Sequence, residues 1–199
     1  MTKAKVKPAP RVIVFAGPNG AGKSTHADAI LAKLGIETFV NADYIARGLS
    51  GLNVDVVAMQ AGRIMLTRLK DLAVAKQDFA FESTLSSRSF APFLRKLKAQ
   101  GYQVAIYYFA LANVSLAVRR VKLRVAMGGH DVPEDTIRRR FSRSLHNFNT
   151  LYMPLTDQWA VFDNTVAAKA TLVATQEGDN LQIKEPKSWR KLQNLIKTA

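Results

Sequence analysis

The chain has 199 residues, 48% of them hydrophobic, and a formal net charge of +14 from 29 Lys and Arg against 15 Asp and Glu. That length and apolar content can bury one α/β domain's core, and no apolar run approaches the roughly 18 residues a membrane-spanning helix needs. The absence of cysteine excludes disulfides and thiolate metal sites and fits a reducing cytoplasm, while His26, His130 and His146 lack metal-ligand spacing.

The first ten residues, MTKAKVKPAP, are basic but have no apolar stretch of the kind a signal peptide carries, and read as a flexible lead-in. Residues 11–199 then form one domain. Val12, Ile13, Val14 and Phe15 are a β-branched and aromatic run bounded by glycine, as expected of a strand buried on both faces. Gly17-Pro18-Asn19-Gly20-Ala21-Gly22-Lys23-Ser24 fits G-x-x-x-x-G-K-[ST], and Thr25 to Lys33 continues as a helix. Such a loop turns successive backbone N–H groups inward around phosphate, and the helix adds its positive N-terminal end. Lys23 then reaches the β- and γ-phosphates, and the Ser24 hydroxyl holds Mg²⁺. This spacing predicts binding of a nucleoside triphosphate.

Further along, Glu37–Val40 reads as a second strand ending in Asn41-Ala42-Asp43, and Gly48–Asn53 as a glycine-punctuated loop. Val54–Val74 is a long helix with Val57, Ala61, Ile64, Met65 and Leu72 on its apolar side. Asp78–Phe81 is a third strand, halted at Glu82-Ser83-Thr84. Ser86–Gln100 is helical, with Pro92 delaying or kinking its first turns and Gly101 stopping it. The apolar run Val104–Ala110 is the fourth strand, and Val114–Met127 a helix bearing Arg119, Arg120, Lys122 and Arg124. After Gly128-Gly129, Pro133 takes the first helical position of a segment that reaches about Asn149, with Glu134 and Asp135 in its first turn. Trp159–Phe162 is the fifth strand, ending in Asp163-Asn164. Beyond about residue 165 an extension is expected: a β-hairpin from Thr171–Thr175 and Leu181–Ile183, then a basic helix from Pro186 to Lys197.

Strands alternating with helices imply a parallel, doubly wound, five-stranded sheet that binds ligands at its carboxyl ends. Polar residues collect there: the Gly17 loop, Asp43, Glu82, Asn113 and Asn164. Asp43 is placed to act as general base toward a hydroxyl acceptor. The alternative is that it caps the helix of Tyr44–Arg47. Glu82 suits either the acceptor hydroxyl or the Mg²⁺ shell. Arg120 and Arg124 share a helix face, and Arg138, Arg139, Arg140 and Arg143 lie beyond the glycine break. An arginine-bearing helical segment of about residues 116–145 would make a lid whose guanidinium groups neutralise a phosphoryl transition state. The charge of +14 has three readings: solubility, polyphosphate substrates, or a nucleic-acid or acidic-protein partner.

The blocks GPNGAGKST, FVNADYIA, FESTLSS, RRVKLRVAMGGHDVPEDTIRRRF and FDN together resemble the zeta-toxin family of P-loop kinases, in its short bacterial branch, from about Arg11 to Asn164. The resemblance implies a fold like the nucleoside-monophosphate kinases, a helical lid, ATP and Mg²⁺ as cosubstrates, and cytoplasmic toxin–antitoxin biology with an antitoxin partner. It implies phosphorylation of a hydroxyl of UDP-N-acetylglucosamine or a related nucleotide sugar. Lys23 and Ser24 match the nucleotide motif, Asp43 the base, and Glu82 with Thr84 the Glu-x-Thr that engages the sugar nucleotide. Lys23, Arg124 and Arg140 join Asp43 as catalytic candidates. Thr25, Arg120 and Asn164 join the Gly17 loop on the nucleotide side, and Asn41 and Arg88 the acceptor side. Two alternatives stand beside this one: a kinase of RNA or DNA ends, and a nucleotide-dependent binding protein with weak ATPase activity.

Overall fold

The central strand, β1 (Arg11–Ala16), is covered on both faces, and Val12, Val14, Phe15 and Ala16 have no exposed surface. Its position follows from its composition, since a strand with no polar alternation must lie inside the sheet. The computed structural model describes residues 8–50, 54–166 and 169–197. Residues 1–7 of the basic lead-in and 51–53 of the glycine-punctuated loop lie outside the described residues.

The strands β2 (Phe39–Val40), β3 (Phe79–Ser83), β4 (Gln103–Ala110), β5 (Gln158–Asp163), β6 (Thr171–Glu177) and β7 (Asn180–Ile183) join β1 in one sheet, ordered β2-β3-β1-β4-β5-β6-β7. The first five are parallel. The hairpin β6–β7 does not stand apart from a five-stranded sheet. It pairs antiparallel with β5 and extends the sheet to seven strands, saturating a polar edge β5 would otherwise expose.

Among the described residues there are seven α-helices: α1 (Lys23–Leu34), α2 (Ala42–Leu49), α3 (Val54–Val74), α4 (Phe90–Ala99), α5 (Val114–Ala126), α6 (Glu134–Asn147) and α7 (Pro186–Lys197). Along α3 the buried stripe is Ala61, Met65, Leu69 and Leu72, and Ile64 faces outward at 37% exposure. Pro92 forces α4 to begin at Phe90 instead of Ser86, so Ser86–Ser89 remain a loop. Pro133 sits one step before the first turn of α6, as its cap residue, with φ −52° and ψ 138°. The helical path runs past Asn149, through a π turn at Phe148–Tyr152 and a 3₁₀ turn at Met153–Leu155.

Both helices of the segment expected to be a lid are anchored in the core. Ala117, Val118 and Val121 of α5 are buried, as are Ile137, Phe141, Ser144 and Leu145 of α6. Tyr108 of β4 stacks on Phe148 at 4.1 Å between ring centroids, and its hydroxyl lies 2.9 Å from the Ser144 hydroxyl. Tyr152 donates from its hydroxyl to the Ser87 carbonyl at 2.6 Å.

Burial drives both tyrosines above the ordinary 10.0, Tyr152 to about 12 and Tyr108 further. A raised folded value means the native state holds its proton after the unfolded chain has lost it. Stability is therefore full below pH 10 and falls as pH rises toward 12. Denaturant midpoints at pH 8 and pH 11 should drop for the wild type, and Tyr152→Phe should lose less across that interval. At pH 8 that variant should be weaker by about 1 kcal/mol, for the lost hydrogen bond.

Candidate active site

The Gly17 loop is cut to fit its neighbours. Gly17 has φ 135° and lies so close to the Phe109 carbonyl that a Cβ would collide with it. Gly22, at φ 79°, caps α1 with no side chain, and the first turn of α1 contains no acidic residue. Those choices leave the first amides of α1 free and its end positive, which is what an oxyanion requires. Asn164, 3% exposed at the end of β5, donates from Nδ2 to the Ala21 carbonyl at 2.8 Å and braces the loop from behind.

Glu82 is the point on which the loop's polar side chains converge. Lys23, only 6% exposed, places Nζ 3.4 Å from Glu82 Oε1 and donates to the Pro18 carbonyl at 3.1 Å. Ser24 donates to Glu82 Oε2 at 2.6 Å, and Asn41 Nδ2 donates to the same oxygen at 3.0 Å. Glu82 lies within β3 and not beyond its end, so its position is set by the sheet register Phe15↔Glu82.

Asn41 caps α2, its Oδ1 accepting from the amides of Asp43 (2.8 Å) and Tyr44 (3.4 Å). The capping alternative for Asp43 is thereby corrected, because the role belongs to Asn41, two residues earlier. Asp43 is left with a half-exposed carboxylate whose Oδ2 faces Arg124 Nη1 at 3.9 Å. Arg124 in turn donates from Nη2 to the His130 carbonyl at 2.6 Å, and the Gly129 amide bonds the Arg124 carbonyl at 2.9 Å. A side chain at position 129 would meet the Arg124 side chain, which explains the second glycine of the break. Arg120 bridges the Gly20 carbonyl (3.4 Å) and the Thr165 carbonyl (3.0 Å), its pKa lowered by burial first and by Arg119 second.

These groups line one cleft of about 490 Å³ at the carboxyl ends of the strands. It gathers Asn19, Gly20, Gly22 and Thr25 of the loop region with Asp43, Thr84, Arg120, Arg124, Arg140 and Asn164. Pro18 and Ala21 are buried in the loop behind the cleft wall, and Asn113 is occupied capping α5 through the Leu116 amide at 2.9 Å. Arg88 falls in a neighbouring groove with Arg140, not in this cleft. A hollow of about 1110 Å³ opens at the opposite end of the sheet, around Pro8–Arg11 and Asp78, away from all of these residues.

Three lining residues escape motif reasoning. His26 stacks flat on Phe109, 5.4 Å between centroids, with its Nε2 buried and unpaired. Its only sequence signal is that it follows the loop motif by two positions. Leu123 of α5 and Met127, the residue that caps that helix, are 60% and 73% exposed and line the cleft with an apolar strip. Their four-residue spacing with Arg124 between them could have been read as a cleft-facing helix edge. Asn19 Oδ1, Asn164 Oδ1 and Arg124 Nε are also buried and unpaired, a concentration of unmet hydrogen-bonding capacity in one cleft that a polar ligand would satisfy. The Ser24 hydroxyl and Glu82 carboxylate form a hard-oxygen pair that fits Mg²⁺ shared with nucleotide phosphates. Among the described residues no group of three or more His, Cys, Asp or Glu forms a cage that would hold a metal alone.

The chain matches the family model described as Zeta toxin over residues 1–170. It is 29% identical over 135 residues to an uncharacterized protein of Haemophilus influenzae, covering 66% of this chain and 92% of that one. Among solved structures it is similar to a chain of the AvrRxo1-ORF1:-ORF2 complex determined with ATP, at TM-score 0.73 and 14% identity over 92% of this chain. It spans 63% of that chain's length. It is also similar to a chain of the PezAT chromosomal toxin–antitoxin system of Streptococcus pneumoniae, at TM-score 0.67 and 16% identity, covering 99% of this chain and 82% of that one. Fold, phosphate-shaped loop and family match agree: the chain belongs to the zeta toxin family and is a phosphotransferase built on the P-loop kinase fold.

Proposed function

We propose that the cleft transfers the γ-phosphoryl group of ATP to a hydroxyl of UDP-N-acetylglucosamine or a related nucleotide sugar. The observation that supports this reading is the division of labour between two carboxylates. Glu82 is engaged by Lys23, Ser24 and Asn41, whereas Asp43 keeps its carboxylate half exposed across the cleft. One is built into the phosphate side, and the other is free to meet an acceptor.

The Gly17 loop and the amides opening α1 hold the triphosphate, and Lys23 swings its ammonium from Glu82 to the β- and γ-phosphates. Ser24 and Glu82 would hold Mg²⁺, which when bound would offset negative charge on the phosphates. Arg120, already bridging the loop and Thr165, supports the nucleotide side. Asp43 accepts the acceptor's hydroxyl proton as that oxygen bonds to the γ-phosphorus, and the bond from the γ-phosphorus to the bridging oxygen of ADP breaks. Arg124 and Arg140 neutralise the charge on the transferred group. Thr84 orients the acceptor. Any lid motion is confined to the turn of residues 127–133, because α5 and α6 are anchored along their buried faces.

The reading includes a cytoplasmic setting and an antitoxin partner. It is supported by the family match and by the likeness to a chain of a toxin–antitoxin system. No helix among the described residues is long and apolar enough to cross a membrane.

Three variants test it with labelled ATP and a panel of nucleotide sugars. Lys23→Ala should abolish turnover yet stay folded, since Glu82 retains Ser24 and Asn41 as partners. Wild-type turnover in that variant overturns the phosphate-site reading. Asp43→Asn should bind ATP normally but phosphorylate its acceptor roughly 10²–10⁴-fold more slowly. A normal rate would move the base elsewhere. Arg140→Gln should lower kcat more than it weakens ATP binding. A change in the Michaelis constant for ATP alone would make Arg140 a ground-state contact.

A further inference from the structure

Beside the nucleotide cleft runs a second groove of about 470 Å³, walled by Ser86, Ser87 and Arg88 on one side and by Arg139, Arg140 and Arg143 of α6 on the other, with Asn147 at its base. Four guanidinium groups line it, and no carboxylate does. Among the described residues, none of these arginines makes an ion pair, whereas Arg138, on the outer side of α6, is paired with Glu134 at 2.7 Å. Like charges brought together without a counter-ion repel one another. A groove arranged in this way is completed by an anion.

The groove is also held in shape, unlike a patch of long side chains on a loose surface. Leu85, fully buried, adopts φ 52°, a left-handed conformation costly for a leucine. The loop is kept there by two contacts from distant elements. Asn147, 7% exposed, donates from Nδ2 to the Leu85 carbonyl at 2.9 Å, and Tyr152 of the π turn donates to the Ser87 carbonyl at 2.6 Å. The wall carrying Arg88 is therefore fixed against the wall carrying Arg139 and Arg143 before any ligand arrives. Preorganisation of this kind lowers the cost of binding.

The two clefts communicate. Arg140 lines both, and Thr84, in the nucleotide cleft, has its hydroxyl 2.8 Å from that of Ser86 in the groove. The groove lining has no aromatic or aliphatic side chain, so it offers nothing to stack on a base or a sugar face. Guanidinium forks match phosphate oxygens. The geometry points to a second anion site that grips a phosphate or diphosphate group carried by the acceptor, while the acceptor's hydroxyl lies at Asp43. Identifying the anion as part of the acceptor rests on the kinase reading of the neighbouring cleft; binding of the anion does not.

The test is a calorimetric titration of inorganic pyrophosphate into the full chain saturated with ADP and free of added magnesium, so that the Gly17 loop is occupied. Wild type should bind one further pyrophosphate. The double variant Arg139→Gln, Arg143→Gln should bind it at least tenfold more weakly with unchanged ADP affinity. The single variant Arg143→Gln should fall between, and serves if the double variant misfolds. Pyrophosphate that binds only when ADP is absent, or binds the double variant as tightly as wild type, overturns the site. A second arm offers three acceptors: a sugar, the same sugar joined to a nucleoside diphosphate, and an oligonucleotide with a 5′-hydroxyl. Preference for a phosphate-bearing acceptor that disappears in the double variant supports the assignment and identifies the anion's source. Preference for the bare sugar overturns the acceptor assignment. Should no acceptor be phosphorylated while pyrophosphate binding is lost in the double variant, the kinase reading fails and the anion site stands.

Discussion

A buried ammonium at the mouth of a phosphate-shaped loop must have a partner, and the structure around Glu82 follows from that constraint. Lys23 has almost no contact with solvent, and an unpaired charge at such depth would cost several kcal/mol. Glu82 supplies the partner, and because it lies in β3 directly beside Phe15 of β1, the pairing is set by sheet register and needs no loop to adjust. The same carboxylate takes the Ser24 hydroxyl and the Asn41 amide, so the ends of β1, β2 and β3 are tied to one group. In the proposed reaction, phosphates entering the loop would compete with Glu82 for Lys23.

The loop stays open for that exchange because its support is apolar and comes from behind. Phe109 is stacked against Phe15, Phe162 and His26, and its carbonyl occupies the space a side chain at position 17 would need. Asn164 reaches the Ala21 carbonyl from the same direction. None of these groups uses the inward-facing amides, so rigidity and binding capacity do not compete.

Much of this was legible in the sequence, and the reason is locality. The phosphate loop, the long helix Val54–Val74 and the terminal helix Pro186–Lys197 are each specified by residues a few positions apart, and all three stand where the pattern placed them. What could not be read depends on partners far along the chain. Nothing in Thr171–Ile183 says whether the hairpin pairs with β5 or stands alone, because the answer lies in the open edge of β5. Asn41 and Asp43 are equally good caps on paper, and the turn after β2 decides between them. That Arg88 falls in the groove beside the cleft and not in the cleft itself depends on Pro92, which delays α4, and on the turn of the intervening loop toward α6. The strained Leu85 gives no sequence signal at all, since its conformation is imposed by Asn147 and Tyr152 some 62 residues or more away.

Those long-range contacts also change what the arginine-rich segment can do. A lid that swings as a body needs hinges at both ends and a face free of the core. α6 has neither: Ser144 meets the Tyr108 hydroxyl in the interior, and Asn147 is bonded to the Leu85 carbonyl in the loop after β3. Arg140 lies seven residues before Asn147, on the same face of the helix. Its position is therefore tied to the loop that follows Glu82 and Thr84, and α6 acts as a strut between the core and that loop. Arg124 is held differently, by a carbonyl in the turn after Gly128-Gly129 and by the distant edge of Asp43's carboxylate. Movement of that turn would shift Arg124 while Arg140 stays in place. In the proposed phosphoryl transfer, Arg140 would act as fixed electrostatics present before substrate arrives, and Arg124 as a contact completed when the turn closes.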